Sequence, residues 1–342
     1  MPDDLRADVM IDGVIPLLDV GPYLANEPGA LQKLGRELRY AFERVGFYYM
    51  RGHGVPPQMI GSMFEAARRF HAQPLDWKLR LRINEHNIGY MGMGGSMFRT
   101  SQVQRNTKPS DNEAFFLRRE RSPDDPDVIA NKKLRGLNQW PSELPGFKEV
   151  VLAYMNVMED LGRKLVRVYA VALALPPTYF DAMFEQPSLV QRLTHYPARP
   201  QRGEDEFSIA PHTDSGFMTM LAPNDMPGLS IRLPNGEWID APVVEDAYVV
   251  NGGDILKRWT NDRFLSTPHR VINVTERPRY AVPFFFDPHF DTQIACLPSC
   301  QTADSPAKYP AIAYEDYPSG LQRGTMNIKT TQQHQKRSTP DG

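Results

Sequence analysis

The chain has 342 residues with 39 basic against 41 acidic side chains, a formal charge of −2, 31 prolines and 10% aromatics. So even a balance gives no electrostatic footprint for nucleic acid or an anionic membrane, and no run reaches the roughly 18 apolar residues that span a bilayer. Two cysteines, Cys296 and Cys300, exclude a disulfide scaffold and a four-cysteine zinc site. The polar start Met1-Pro2-Asp3-Asp4 lacks an apolar leader core, so the expectation is a cytoplasmic protein with reduced thiols.

Ile15-Pro16-Leu17-Leu18-Asp19 reads as a strand whose proline favours an edge or a strand start. Leu31, Leu34, Leu38, Ala41 and Phe42 recur at helical spacing and predict a helix over about 28–45, stopped by Gly46. Phe47-Tyr48-Tyr49-Met50 is the next strand, Gly52-His53-Gly54 turns the chain, and Pro56 opens a second helix running to about residue 73. His53 reads as a turn histidine, because no second ligand is spaced to help it bind a metal. Between about 87 and 120, glycines alternate with Tyr90, Met91, Met93, Met97 and Phe98. Flexible backbone carrying thioethers and rings suits either a pocket lid or an ordinary loop packed on the core. Phe147, Val151, Tyr154, Met158, Leu161, Leu165, Val168 and Ala172 keep the spacing of a long amphipathic helix over about 145–175.

From about residue 189 the pattern changes to short alternating runs broken by Pro, Gly, Asn and Asp. The runs over 190–196, 208–213, 216–221, 228–232, 237–240, 247–250, 253–256, 268–273, 279–286 and 292–297 read as strands, with a hairpin at Asn235-Gly236. Helices first and strands later predict an α+β fold with a jelly-roll core and N-terminal and flanking helices. The expected division is a mostly helical region over 1–186, a core over 187–328 and a polar tail over 329–342, forming one compact unit.

Within the strand-rich half lies His212-Thr213-Asp214, with His269 further along. Residues i and i+2 of a strand share a face. Two histidines and a carboxylate are the ligand set of the facial triad that binds non-haem Fe(II) and leaves positions open for chemistry. The same set also suits zinc.

Gly46-Phe47-Tyr48-Tyr49-Met50-Arg51-Gly52-His53-Gly54-Val55-Pro56 resembles the N-terminal signature of the isopenicillin-N-synthase-like, 2-oxoglutarate- and Fe(II)-dependent oxygenases. Thr194-His195-Tyr196-Pro197, His212-Thr213-Asp214, Ser266-Thr267-Pro268-His269-Arg270-Val271 and Arg279-Tyr280-Ala281 follow in that family's order. The resemblance implies a double-stranded β-helix core and Fe(II) on His212, Asp214 and His269. It also implies 2-oxoglutarate beside the iron, with its far carboxylate on Arg279 and a phenol from Tyr196, and O2 as oxidant, with ascorbate as a further reductant. The implied reaction is hydroxylation, desaturation or ring closure of a small metabolite, with release of succinate and CO2. An apolar or aromatic substrate is expected, in a pocket drawing on Met91, Met97, Phe98, Phe217 and Phe286, with no nucleic-acid or membrane partner.

Two positions depart from the family pattern: Ala281 stands where a serine is usual, and Thr194 where many relatives carry Asn. A hydrogen bond to a charged group is worth roughly 1.5–3 kcal/mol, so the missing serine weakens the cosubstrate clamp unless another hydroxyl replaces it. That leaves open a related oxidase that does not use 2-oxoglutarate. A metal-binding jelly roll without turnover is the reading from another class.

Overall fold

The computed structural model of the chain describes residues 7–96, 108–203 and 205–317. The N-terminal half holds β1 (Val9–Ile11), β2 (Ile15–Asp19), α1 (Gly21–Leu24), α2 (Ala30–Arg44), β3 (Phe47–Arg51), α3 (Pro57–His71), α4 (Leu75–Leu79), β4 (Gly89–Met91), β5 (Glu113–Arg118), α5 (Pro126–Ile129) and α6 (Phe147–Ala172). The C-terminal half holds β6 (Ser188–Tyr196), β7 (Ile209–His212), β8 (Met218–Leu221), β9 (Leu229–Arg232), β10 (Trp238–Asp240), β11 (Tyr248–Gly252), α7 (Asp254–Trp259), β12 (His269–Val271), β13 (Arg279–Ala281) and β14 (Pro283–Asp287).

Two sheets form the jelly-roll core. The larger has the order β1-β2-β3-β11-β8-β14-β6-β5-β4, with β13 also paired to β6, and the smaller has the order β10-β9-β12-β7. The larger sheet takes strands from both halves of the chain, so the two halves share one sheet. Helices α2, α3 and α6 cover its outer face, and the smaller sheet covers its inner face.

Strand alternation sorts side chains between these layers. On β3, Tyr48 and Met50 join the helix-side core, whereas Phe47 and Tyr49 join the core between the sheets. On β14, Phe284 and Phe286 pack toward the helices, while Pro283 and Phe285 line a cavity between the sheets. Burying each phenylalanine contributes roughly 1.5–3 kcal/mol, so the long helices expected from apolar spacing hold the sheet that carries the site.

The stop after α2 has a second effect. Gly46 adopts φ 74°, a conformation that favours glycine, and a Cβ there would collide with Thr267 Oγ1. The glycine therefore seats the segment that leads into His269.

Two segments differ from the sequence expectation. Residues 253–256 open α7 and do not form a strand, because Ile255, Leu256 and Trp259 bury together on one helical face. The glycine-rich stretch contains two strands, β4 and β5, which extend the larger sheet beyond β6. Pro16 is the second residue of β2 and pairs with Met10 of β1, while the parallel pairing of β2 with β3 begins one residue later, at Leu17. No described helix is long and apolar enough to cross a membrane.

Candidate metal centre

His212 closes β7 and His269 opens β12, and the two are antiparallel cross-strand partners. Their ring centroids lie 4.3 Å apart at 52°. Asp214 lies just beyond the end of β7, in the connection that crosses from the smaller sheet to the larger. The loop, and not strand alternation, therefore places its carboxylate. Its carbonyl accepts the Asp254 N–H at 2.8 Å. Asp214 Oδ1 is 3.8 Å from Nε2 of His212 and 3.8 Å from Nε2 of His269. One ligand atom from each residue lies within 4.8 Å of the other two.

The hydrogen bonds behind these atoms suit metal binding. His212 Nδ1 lies 2.9 Å from the Ala210 carbonyl, and His269 Nδ1 lies 3.2 Å from the Thr267 carbonyl. With Nδ1–H donating to a carbonyl, each neutral ring turns an Nε2 lone pair toward the centre. Asp214 Oδ2 accepts from Thr219 Oγ1 at 2.6 Å and from Asn251 Nδ2 at 2.8 Å, which leaves Oδ1 facing the histidines. Burial, followed by the charge of His269, pushes His212 down to about 3, so its ring is neutral near pH 7. Burial acts to raise Asp214, but the two histidines and the bonds from Asn251 and Thr219 outweigh it and hold the carboxyl below its usual range. Two imidazoles and one carboxylate on one side of a cavity match the donor set that holds Fe(II) and leaves coordination positions for small molecules.

The cavity beside the triad is lined by Tyr196, Leu221, Val249 and Phe285, among others. Leu221, Leu229 and Val249 also line a neighbouring cavity that reaches Arg279. Arg279 is the cross-strand partner of Tyr196, and its guanidinium carbon lies 5.2 Å from that ring's centroid. It is 3% exposed and its Nη1 is buried without a partner. A buried guanidinium N–H without an acceptor fits a carboxylate ligand. The two departures noted in the sequence face each other: Ala281 is the cross-strand partner of Thr194. Thr194 is fully buried and its Oγ1 has no partner.

The expected pocket residues do not gather here. Met91 is a buried residue of β4, two strands beyond β6 at the edge of the sheet. Phe217 is fully buried on the helix side, 5.0 Å from Tyr169 and 4.9 Å from Phe184 between ring centroids. Phe286 stacks on Phe184 at 5.3 Å and 7°. Phe285 takes the cavity position, because the alternation of β14 turns the even-numbered rings away. Met97 and Phe98 lie outside the described residues. Asn251 and Thr219 were not expected from sequence; they are cross-strand partners on β11 and β8 and reach Asp214 only after those strands pair.

His53 is the turn histidine expected: its Nδ1 accepts the Val55 N–H at 3.1 Å and its ring packs edge-on against Tyr248. A second acid–histidine group joins His71, Glu113 and His195. There Glu113 is bonded to His195 Nδ1 at 2.8 Å, to Lys78 Nζ at 2.8 Å and to the Tyr90 hydroxyl. The lysine already neutralises the carboxylate, so this group is a buried ionic brace between α4, β5 and β6.

Comparison with known proteins agrees with this geometry. Residues 15–143 match the family described as non-haem dioxygenase in morphine synthesis N-terminal, and residues 187–288 match the 2OG-Fe(II) oxygenase superfamily. The chain is 33% identical over 311 residues to the 2-oxoglutarate-Fe(II) type oxidoreductase hxnY of Emericella nidulans, covering 89% of this chain and 88% of that protein. It is 31% identical over 324 residues to a homoarginine-6-hydroxylase of Glycine max, covering 90% and 95%. Among solved structures, a full-length Neurospora crassa protein in complex with alpha-KG and thymine superposes with a TM-score of 0.81 at 28% identity, covering 94% of this chain and 100% of that one. The chain belongs to the 2OG-Fe(II) oxygenase superfamily and is a dioxygenase that uses Fe(II), 2-oxoglutarate and O2 on small organic molecules.

Proposed function

We propose that His212, Asp214 and His269 hold the iron, that Arg279 and Tyr196 hold the far carboxylate of 2-oxoglutarate, and that the enzyme hydroxylates an unactivated C–H bond of a small metabolite. Desaturation and ring closure are the variants of the same site. The carrying observation is the convergence of the three ligand atoms in a cavity contiguous with the one reached by the unpartnered Nη1 of Arg279. Iron held there would, with 2-oxoglutarate and O2, supply the oxidising power, the 2-oxoglutarate being converted to succinate and CO2.

The chain's own part is positioning. The Ala210 and Thr267 carbonyls hold both histidines in the ligating tautomer. Asn251 and Thr219 restrict Asp214 to one coordinating oxygen. The apolar lining from Leu221, Val249 and Phe285 limits water access. Thr194 Oγ1 supports the use of 2-oxoglutarate, because a hydroxyl on the facing strand stands in for the serine missing at 281. We place the protein in the cytoplasm, with small molecules as its only partners and the residues up to about 328 acting as one unit.

The test is succinate formation by purified protein given Fe(II), 2-oxoglutarate and a metabolite library. Substrate-stimulated succinate that His212→Ala abolishes supports the assignment. Equal succinate from the variant would refute it.

A further inference from the structure

Three arginines are buried among the described residues: Arg135, Arg192 and Arg279. Arg135 is met by the carboxylates of Asp127, Asp291 and Glu315. Arg279 and Arg192 have no such partner among the described residues, and buried charges are otherwise paired. Arg279 is assigned to the cosubstrate. Arg192 remains.

Arg192 lies on β6 and alternates with Thr194 and Tyr196 onto the face between the sheets, where it lines the triad cavity. It is 7% exposed. Its Nη2 donates to Asn112 Oδ1 at 2.9 Å, its guanidinium carbon lies 5.2 Å from the Phe116 ring centroid, and its Nε is buried without a partner. Asn112 is itself fully buried and donates from Nδ2 to the Ser208 carbonyl at 2.6 Å. That bond fixes the amide with its oxygen toward Arg192. The guanidinium is therefore held in place with unused donor capacity.

Charge balance gives the same indication. Asp214 and Arg192 are the only Asp, Glu, Lys or Arg residues lining the triad cavity, and Arg279 is the only one lining the cavity beside it, among the described residues. A divalent metal, the Asp214 carboxylate, a dianionic cosubstrate and Arg279 cancel. The charge of Arg192 is left over, and a monoanion neutralises it.

We propose that Arg192 anchors the carboxylate of the primary substrate, so that the enzyme acts on small organic acids whose apolar body lies against Leu221, Val271 and Phe285. The proposal rests on the assignment of the triad and Arg279 made above, and it makes Arg192 a specificity-determining residue.

The test uses full-length protein loaded anaerobically with Fe(II) and 2-oxoglutarate, whose visible charge-transfer absorption reports the iron environment. Small aliphatic and aromatic carboxylic acids are titrated in, each beside its primary amide. The expected result is that acids perturb the absorption at concentrations at least tenfold below their amides. Arg192→Met removes that preference, Arg192→Lys keeps part of it, and both variants still develop the absorption with 2-oxoglutarate. Equal potency of acids and amides, no response to any acid, or an unchanged preference in Arg192→Met overturns the anchor. Loss of the absorption in Arg192→Met also overturns it, by moving Arg192 to the cosubstrate. Absence of the absorption in the wild type strikes the iron and cosubstrate assignment itself, and the anchor falls with it.

Discussion

At the scale of single residues, the centre depends on groups one bond behind the ligands. Asn251 and Thr219 both donate to Asp214 Oδ2, and partners of this kind are typically worth 10–100-fold in metal affinity. Asn251→Ala is expected to weaken iron binding by about that factor in an anaerobic metal titration, and unchanged affinity would show the bond to be incidental. The hydroxyl opposite Ala281 leads to a second expectation. Thr194→Val should raise the Kd for 2-oxoglutarate by about tenfold or more, read by calorimetry on the iron-loaded protein; a Kd within twofold of wild type would remove Thr194 from the clamp. The grouping of His212, Asp214 and His269 was legible in the sequence because metal chemistry restricts ligands to few residue types, and His-x-Asp with a distant His survives as a pattern. Asn251 and Thr219 were not legible, since many residue types can donate to a carboxylate and these two meet Asp214 only through strand pairing.

At the scale of elements, the loop from Asp214 to Phe217 is clamped from two sides. A Cβ at Gly253 would collide with the carbonyl oxygen of Gly216 and lie 2.8 Å from that of Asp214. Gly253→Ala should therefore displace the Asp214 loop and lower iron affinity more than it lowers the unfolding midpoint; equal iron binding by variant and wild type would contradict this. On the other side, Asp287 Oδ1 accepts the Phe217 N–H at 2.6 Å. Burial raises Asp287 to about 6, so between the ordinary carboxylate range and about pH 6 the folded chain keeps a proton that the unfolded chain has lost. Stability from this group falls as pH rises through that window. The stability of wild type relative to Asp287→Asn should then drop by roughly 2 kcal/mol between pH 4 and pH 7, measured by denaturant unfolding at both values; a difference independent of pH would contradict the assignment. Element positions were largely legible, because the apolar spacing in α2 and α6 is unambiguous and Pro56 marks the start of α3. Facing was not: alternation on β14 separates Phe284 and Phe286 from Phe285 but does not say which set meets the helices. A one-residue choice therefore exchanges pocket for core.

At the scale of the whole molecule, the fold explains why His212, Asp214 and His269, dispersed in sequence, converge on one point. The smaller sheet brings His212 and His269 side by side, the crossover to the larger sheet supplies Asp214, and β6 and β13 in the larger sheet supply Tyr196 and Arg279. The helices contribute none of the three converging atoms; they bury the outer face of the sheet that carries Arg279 and Tyr196. This division accounts for a sequence in which the helical half shows strong periodicity and little chemistry, while the strand half shows the reverse. If one iron held by His212, Asp214 and His269 makes the protein consume 2-oxoglutarate, iron content and turnover must fall together. This is tested by measuring iron content and succinate formation together in wild type, His212→Ala and His269→Ala. One iron per wild-type chain is expected, with succinate that scales with it and both lost in each variant. Full iron content or undiminished succinate in either variant would contradict it.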